Sequence, residues 1–347
     1  MTALVTLIPA YKPTYLGEVL GGLAAQTWRD FRVVVSDDSP GAEISRLLRS
    51  GAWREATRRL DITLVQGPRQ GSMPNLHALL RGHAHGVRLV HLMMDDDLLA
   101  STFYERHFDA HGALSVAASV SRRVLVDDQG SVRGEFPLPP SLRDMAAAQS
   151  PGRALRLDFA ALAATTIPGC DNWLGEFSHA VFTRDAAMQL LHPTLARLST
   201  YGLADIGLML QAARHGGLAW LDEHLGGFRQ HASSSTSAQQ SFGHRCGYLA
   251  WAALALDAWS LAALDAHGTT AAIARVVRQC LMRYPDDALM GAFVDLVERD
   301  GADLATLHGR FEVFWHGALA ADRDGAVTVQ ATAATEREAA PADPVPA

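Results

Sequence analysis

The chain has 347 residues, of which 48% are hydrophobic and 19% are charged, and its formal net charge is −7. This composition is ample for a packed core and is typical of a globular protein. The negative charge, with no basic tail or arginine-rich face, argues against nucleic acid as the main partner. The three cysteines, Cys170, Cys246 and Cys280, have no metal-binding or disulfide spacing, which indicates a reducing compartment.

The N-terminal segment, residues 1–8, is apolar, lacks a basic region and runs directly into Pro9. It therefore predicts a first strand and not a signal peptide. The longest apolar stretch, residues 248–264, is interrupted by Asp257 and falls short of the ~18–20 residues that a membrane-spanning helix needs. We expect a cytoplasmic protein, with peripheral membrane contact or homo-oligomer contact through residues 241–321 left open.

Strand-like and helix-like segments alternate along the first third of the chain. This alternation predicts a parallel, doubly wound α/β sheet covered by helices on both faces. In such sheets ligands bind beyond the carboxyl ends of the strands. The predicted strands are 3–8, 31–36, 61–65 and 87–94, and the predicted helices are 15–27, 41–58, 73–85 and 101–112.

The pattern changes after Leu114. Residues 115–126 are strand-like and lead into turn-forming residues, which predicts a hairpin followed by a mobile, proline-bearing connection through residues 137–140. Further along, the spacing predicts a strand near 177–183, a helix near 203–215, two short strands ending at His231, helices from about 241 to 319, and a disordered tail from residue 322.

Two groups of aspartates follow two predicted buried strands, Asp37 with Asp38, and Asp95 with Asp96 and Asp97. Crowded carboxylates raise one another's pKa, so three in a row beside apolar residues predict neutralisation by a divalent cation. Because a strand end points alternate side chains to opposite faces, not all three can bind one metal ion. Asp97 is the first predicted ligand and Asp95 the second. The alternative is a solvated loop or a helix N-cap.

Other segments recur in a characteristic order around these aspartates. They are residues 8–11 (Ile-Pro-Ala-Tyr), Gln26-Thr27 with residues 33–39, Asn75 in the helix before the aspartate triplet, residues 202–205 (Gly-Leu-Ala-Asp) and residues 227–231 (Gly-Phe-Arg-Gln-His). In this order and spacing, the chain resembles the family-2 glycosyltransferases with the GT-A fold, in which residues 95–97 correspond to the Asp-x-Asp motif. The resemblance covers roughly residues 3–235.

The resemblance implies a Rossmann-like, mixed but mainly parallel sheet flanked by helices, with a helical C-terminal extension. It also implies transfer of a sugar from a nucleotide-diphosphate sugar, with inversion and assisted by Mg2+ or Mn2+. The acceptor would be a hydroxyl of a saccharide, a lipid-linked molecule or a protein, in polysaccharide or glycoconjugate assembly. The expected organisation is a domain over 1–235, divided into a nucleotide-binding half (1–114) and an acceptor half (115–235), a helical region over 236–321 and a tail over 322–347.

One carboxylate beneath the anomeric carbon suffices as general base for the acceptor hydroxyl. Asp205 is the predicted base, although it follows Ala204 where the family has glutamate, and a helix N-terminal aspartate is the alternative. The carboxylates of Asp37 and Asp38 are predicted to accept hydrogen bonds from the base and ribose, with an ordinary turn as the alternative.

The remaining predicted site residues fall into three groups. The nucleotide-sugar contacts are Pro9, Tyr11, Arg69, Asn75, Asp95 and Asp96; the metal ligands are Asp95, Asp97 and His231; and the acceptor or sugar wall is Asp171, Asn172 and Trp173. Core packing of Trp173 is an equal alternative. Arg229 is a further candidate for contact with phosphate.

Two other functions stay open at the level of sequence. A nucleotidyltransferase would share the sheet and use aspartates with Mg2+, but it would carry a glycine-rich basic loop after the first strand, which residues 9–13 are not. A non-catalytic protein would bind a nucleotide-sugar, or a partner through the helical C-terminal region. Asp205→Asn separates these cases, because a transferase should lose turnover while keeping its donor affinity.

Overall fold

The computed structural model describes residues 2–148, 154–231 and 241–338, with side chains described as far as residue 321. A single large sheet runs through the molecule, and most of the predicted strands belong to it. The strands are β1 (Leu4–Ala10), β2 (Phe31–Asp37), β3 (Ile62–Gln66), β4 (Leu89–Leu92), β5 (Leu98–Leu99), β6 (Ala118–Val126), β7 (Val132–Glu135), β8 (Leu155–Leu157), β9 (Ala180–Thr183) and β10 (Leu218–Arg229).

The helices cover the sheet and form the C-terminal region. They are α1 (Leu16–Ala24), α2 (Glu43–Ser50), α3 (Arg54–Thr57), α4 (Ser72–His83), α5 (Phe103–Leu114), α6 (Pro140–Ala147), α7 (Phe159–Thr166), α8 (Arg184–Met188), α9 (Ala204–Gly216), α10 (Phe242–Ser260), α11 (Ala266–Arg283), α12 (Ala288–Asp300) and α13 (Leu304–Glu338).

The N-terminal part of the sheet is parallel, as the alternation of elements predicts. β1 pairs with β2 on one side and with β4 on the other, and β3 pairs with β2. β1 and β4 are buried along their whole length, which fits strands that are covered on both faces. The carboxyl ends of β1, β2 and β4 therefore lie side by side at one edge of the sheet.

The C-terminal part makes the sheet mixed. β9 runs antiparallel between β4 and β6, β10 runs parallel to β6, and the full order is β3-β2-β1-β4-β9-β6-β10-β5. β7 pairs with β6, and β8 pairs with β10. The structure confirms an α/β fold with a mixed sheet flanked by helices and a helical C-terminal region.

β10 is one strand of 12 residues where the sequence predicts two short strands. Its register against β6 shifts between Leu221 and His224 and again between His224 and Gly226. Such bulges bend a strand without ending it. A side chain on Gly226 would lie 2.1 Å from the ring of His179, so the bulged segment packs too closely there for any other residue.

Three further segments differ from the sequence predictions. The predicted helix 41–58 is two helices, because Gly51 adopts a left-handed conformation (φ 78°) that ends α2. The connection after the hairpin contains α6, although residues 149–153 lie outside the described residues. The predicted tail begins at residue 322, whereas α13 extends to Glu338, and residues 339–347 are not described.

The C-terminal helices share a core with the sheet. The larger cluster of buried apolar side chains includes Val5 of β1 and Leu92 of β4 together with Leu256 of α10 and Phe311 of α13. Over the described parts of the chain, none of the helices combines the length and apolar character needed to cross a membrane.

Candidate functional site

One residue of each group of aspartates contacts the end of β1 or the residues just after it, from the neighbouring strand on either side. The backbone N–H of Asp38 donates to the carbonyl of Ala10 at 2.9 Å. Asp95 Oδ2 accepts from the backbone N–H groups of Tyr11 at 2.7 Å and Lys12 at 2.9 Å. Residues that are far apart in sequence thus converge at the carboxyl edge of the parallel strands, where open α/β sheets bind ligands.

Asp37 is buried, and its carboxylate serves the local structure. Oδ1 accepts from the N–H and the hydroxyl of Ser39, and Oδ2 accepts from the N–H of Ser45 in the first turn of α2. Although burial acts to raise the pKa of Asp37, these hydrogen bonds hold it below its usual value. Both carboxylate oxygens of Asp37 thus accept hydrogen bonds within the protein, as the turn alternative predicts.

Asp38 is the better placed of the pair, and Asn75 lies near it. Asp38 is buried, and its Oδ1 accepts from the backbone N–H of Arg69 at 2.5 Å. Arg69 itself is exposed and has a left-handed backbone (φ 58°). Asn75 accepts from the hydroxyl of Ser36 at 2.6 Å, while its buried amide nitrogen has no hydrogen-bond partner among the described residues. A buried donor of this kind is a candidate for a contact with ligand.

Residues Pro9 and Tyr11 lie on either side of the strand end. Pro9 is a buried residue of β1, paired in register with Ser36. Tyr11 follows β1 and is 50% exposed, so its ring is accessible to a ligand at this edge. Pro9 therefore shapes the strand end, whereas Tyr11 is free to pack against a planar group.

The three aspartates after β4 have three different partners. Asp95 faces the loop after β1, Asp96 Oδ2 lies 3.0 Å from Nε2 of His231, and Asp97 Oδ1 accepts from the backbone N–H of Arg229 at 3.1 Å. Burial raises the pKa of Asp95, and it raises the pKa of Asp97 to about 6. The carboxylates diverge, so His231 is paired with Asp96 and not with the predicted ligands Asp95 and Asp97.

Arg229 holds this corner together. Its guanidinium donates to the carboxylate of Glu18 at 2.7 Å and to the carbonyls of Asp96, Asp127 and Asp128. It also lies over the ring of Tyr15, 4.3 Å from the centroid. The Arg229 side chain is fully buried, so the predicted contact with phosphate is replaced by a structural role. Through these hydrogen bonds Arg229 holds the backbone at Asp96 and close to His231 in place.

Asp205 stands in the first turn of α9, as predicted, and is partly buried. Burial raises its pKa to about 6, and the negative charge of Glu176 adds to this effect. The charge of Glu176 also acts to raise the pKa of Asp97. The charge of Glu176 thus acts on both Asp97 and Asp205. A carboxyl group with a pKa near neutrality, as Asp205 has, is suited to accept a proton.

Glu176 and its partners Arg123 and His179 were not predicted from the sequence. The buried side chain of Arg123 places Nε 2.7 Å from Glu176 and donates to the carbonyls of Asn172 and Trp173. His179 Nδ1 lies 3.4 Å from the same carboxylate. Although burial acts to raise the pKa of Glu176, His179 and Arg123 lower it, so this acid is ionised beside Asp205. The signal in the sequence was an arginine within an apolar strand.

Residues 171–173, the predicted acceptor or sugar wall, lie in three different environments. Trp173 is buried, and its indole N–H donates to Thr166 at 3.1 Å, which is the core alternative. Asn172 accepts from the N–H of Gly175 at 2.8 Å, while Asp171 is exposed. These residues shape the turn that carries Glu176.

Only part of the site suits a metal ion. Among the described residues, no group of three or more His, Cys, Asp or Glu side chains is arranged to hold a metal. Mg2+ and Mn2+ are commonly bound by one or two carboxylates together with phosphate oxygens of a substrate. Asp96 fits this requirement, because its side chain is 26% exposed and its orientation is fixed by His231.

Comparisons with known proteins bear on the fold. No protein-family model matches the chain, and no curated protein has a matching sequence. Among solved structures, S. aureus TarS 1–349 in complex with UDP-GlcNAc aligns with a TM-score of 0.57 and 14% identity, over 93% of this chain and 92% of that chain. A longer TarS structure aligns with a TM-score of 0.51 and 14% identity, over 82% of this chain and 44% of that chain.

A mannosyltransferase from Pyrobaculum calidifontis, in complex with GDP-Man and Mn2+, aligns with a TM-score of 0.44 and 16% identity, over 90% of this chain and 85% of that chain. That likeness is too weak to carry an argument. The TarS likeness, at its low identity, shows a shared fold.

Proposed function

We propose that this protein is a glycosyltransferase that moves a sugar from a nucleotide-diphosphate sugar to an acceptor hydroxyl with inversion. The observation that carries the proposal is that Asp38 and Asp95 meet at the end of β1, while the charge of Glu176 acts on both Asp97 and the proposed base Asp205. A donor lying along this edge would have its nucleotide near Asp38 and Asn75 and its sugar near Asp205.

The chemistry assigns one task to each part. The acceptor oxygen attacks the anomeric carbon and gives its proton to Asp205, while the bond to the diphosphate breaks and that group leaves with the electron pair. Asp96 would hold Mg2+ or Mn2+, which offsets the charge of the leaving diphosphate. A single base, with no carboxylate acting as nucleophile, leads to inversion. Saccharides, lipid-linked molecules and proteins are the acceptor classes to be tested.

UDP-GlcNAc is the first donor to test, because a TarS fragment with the same fold binds it. The stability of the protein is measured by thermal shift with UDP-GlcNAc, with and without Mn2+, since ligand binding raises stability by mass action. Release of UDP, with water as acceptor, reports turnover. A donor that stabilises the protein only in the presence of Mn2+ supports both the donor class and the role of the cation.

Asp205→Asn tests the catalytic assignment. This variant should bind UDP-GlcNAc as tightly as the parent protein and release UDP at least about 100-fold more slowly, the usual contribution of a general base. Asp61→Asn is the matched control, because Asp61 is an exposed acid at the amino end of β3, away from the carboxyl edge of the parallel strands. Equal UDP release by the parent and Asp205→Asn would refute the assignment, and binding without turnover in the parent would favour a non-catalytic binder.

A further inference from the structure

The segment that precedes the proposed base in sequence packs against the C-terminal helices α10 and α13. Residues 193–203, called here the 193–203 loop, run from the end of a short 3-10 helix to the start of α9. Thr200 closes this loop on itself by donating its N–H and its hydroxyl to the carbonyl of Pro193, at 2.8 and 3.2 Å. The N–H of Leu203 in turn donates to the carbonyl of Thr200. Asp205 follows two residues later, so its place depends on this loop.

Asp257 of α10 anchors the loop. Its Oδ2 accepts from three consecutive backbone N–H groups, those of Ala196 at 2.8 Å and of Arg197 and Leu198 at 3.0 Å each. Its Oδ1 lies 3.0 Å from Nε2 of His308 on α13. Asp257 is fully buried on an otherwise alanine- and leucine-rich helix. Such a group persists in a core only when its acceptor oxygens are well satisfied.

Two further contacts fix the loop to the same helices. The indole N–H of Trp315 on α13 donates to the carbonyl of Ser199 at 2.8 Å. Gly202 lies against α10 so closely that a side chain on it would be 2.5 Å from the backbone nitrogen of Gly247. Gly202 also has φ 95°, a conformation that other residues rarely adopt. The C-terminal helices therefore contact the loop mainly through its backbone N–H and C=O groups.

The opposite side of the loop is attached to α9. Gln211 donates to the carbonyl of Thr194, and Arg214 donates to the carbonyl of Leu195 at 2.8 Å. The 193–203 loop is thus bonded to α9, which carries Asp205, on one side and to α10 and α13 on the other. The segment that Asp257 binds is therefore also bonded to α9, whose first turn carries Asp205.

We propose that Asp257 is a positioning residue, which holds the 193–203 loop so that Asp205 meets the acceptor hydroxyl in the reactive geometry. This inference rests on the proposed function. The helical C-terminal region is then part of the catalytic apparatus and not only a site for partners. A misplacement of about 1 Å at a reacting group lowers a rate by about 100-fold, so loosening this anchor affects turnover more than donor binding.

The test compares Asp257→Asn with Asp287→Asn. Asp287 accepts from the N–H groups of Leu289 and Met290, at 3.0 Å each, at the start of α12, and it pairs with Arg245 of α10. Its replacement therefore weakens similar bonds of a C-terminal helix without removing a bond to residues 196–198. Asp257→Asn should release UDP from UDP-GlcNAc about 10- to 100-fold more slowly with an unchanged KM, whereas Asp287→Asn should change the rate less than about twofold. Amide exchange at residues 196–198 should accelerate only in Asp257→Asn.

The double variant Asp205→Asn/Asp257→Asn separates positioning from general damage. If Asp257 acts through Asp205, adding Asp257→Asn to Asp205→Asn should lower the residual rate less than about twofold. The inference would be overturned if Asp257→Asn lowered the rate of UDP release as much in the Asp205→Asn background as in the parent, or if Asp257→Asn changed neither amide exchange nor turnover. In either case a slow Asp205→Asn would still support the proposed function. A parent protein that neither binds UDP-GlcNAc nor releases UDP would overturn both. Were Asp257→Asn unfolded at 25 °C, the same measurements on Trp315→Phe, which removes the bond to Ser199 together with part of a buried ring, would decide in the same way.

Discussion

Replacing the proposed base should make the protein more stable as well as inactive. The ionised form of Asp205 is disfavoured by burial, which raises its pKa from the usual 3.8 to about 6. Each pKa unit corresponds to about 1.4 kcal/mol, so at pH 7 the ionised carboxylate costs the folded state up to about 3 kcal/mol. Asn has nearly the same shape and no charge. We therefore expect Asp205→Asn to raise the free energy of unfolding at pH 7 by about 1–3 kcal/mol.

The sign of this effect depends on pH. Well below pH 3.8, Asp205 is protonated in both the folded and the unfolded state, so ionisation costs nothing. As the pH rises from about 4 to 6, the unfolded chain ionises before the folded protein does, and the folded protein loses stability until the cost becomes constant above about pH 6. The gain from Asp205→Asn should therefore be largest at pH 7 and small at pH 4.

Urea denaturation of the parent, Asp205→Asn and the control Asp61→Asn at pH 4, 5.5 and 7 measures this dependence. Asp61 is exposed, so its replacement should change the free energy of unfolding by less than about 0.5 kcal/mol at each pH. The reasoning is refuted if Asp205→Asn is less stable than the parent at pH 7, or if its advantage is the same at pH 4. Either result would mean that the first turn of α9 does not disfavour a charge.

Three further predictions concern other parts of the site. Because burial raises the pKa of Asp205 to about 6, UDP release should be about tenfold slower at pH 5 than at pH 7, and a rate that is flat over this range would contradict its role as base. Glu176→Gln leaves the buried charge of Arg123 without a counter-charge, so it should lower the free energy of unfolding in urea denaturation by about 3–5 kcal/mol. The control Glu135→Gln, in the more exposed pair with Arg122, should lower it by less than about 1 kcal/mol. Equal losses in the two variants would show that burial of the Arg123 pair is unimportant. His231→Ala removes the group that orients Asp96 and should raise the Mn2+ concentration for half-maximal UDP release about 10- to 100-fold, whereas an unchanged requirement would place the cation elsewhere.

The sequence predicted the elements whose signals are local. Alternating apolar runs gave the parallel strands β1 to β4, and the aspartates after β2 and β4 indicated the edge at which they meet. Two features were not predicted although their signals are also local. Pro140 suggested a connection, yet a proline is tolerated in the first turn of a helix and α6 begins with it. Gly51, which ends α2, was equally visible in the sequence.

The details of the site depended on pairings that no local pattern contains. Asp37 and Asp38 are adjacent, but only the position of α2 decides that Asp37 accepts from Ser45. Arg123 and Glu176 are 53 residues apart and meet because β6 and the turn before β9 lie together in the sheet. The choice of Asp95 and Asp97 as metal ligands followed the alternation of a strand, whereas β4 ends at Leu92 and alternation no longer applies. The pairing of His231 with Asp96 depends on the path of β10.

The bulges of β10 determine how many residues separate the middle of the sheet from Arg229 and the groups that it binds, which are Glu18 and the carbonyls of Asp96, Asp127 and Asp128. A regular strand alternates its side chains, so the removal or addition of one residue between Leu221 and Gly226 would reverse the direction of every side chain that follows. Arg229 would then turn away from Glu18, and the corner would lose its central cation. The number of residues between Leu221 and Gly226 is therefore under a stricter constraint than the identities of residues 222–225, and relatives that preserve this corner should vary at residues 222–225, keep Gly226, and show neither insertions nor deletions.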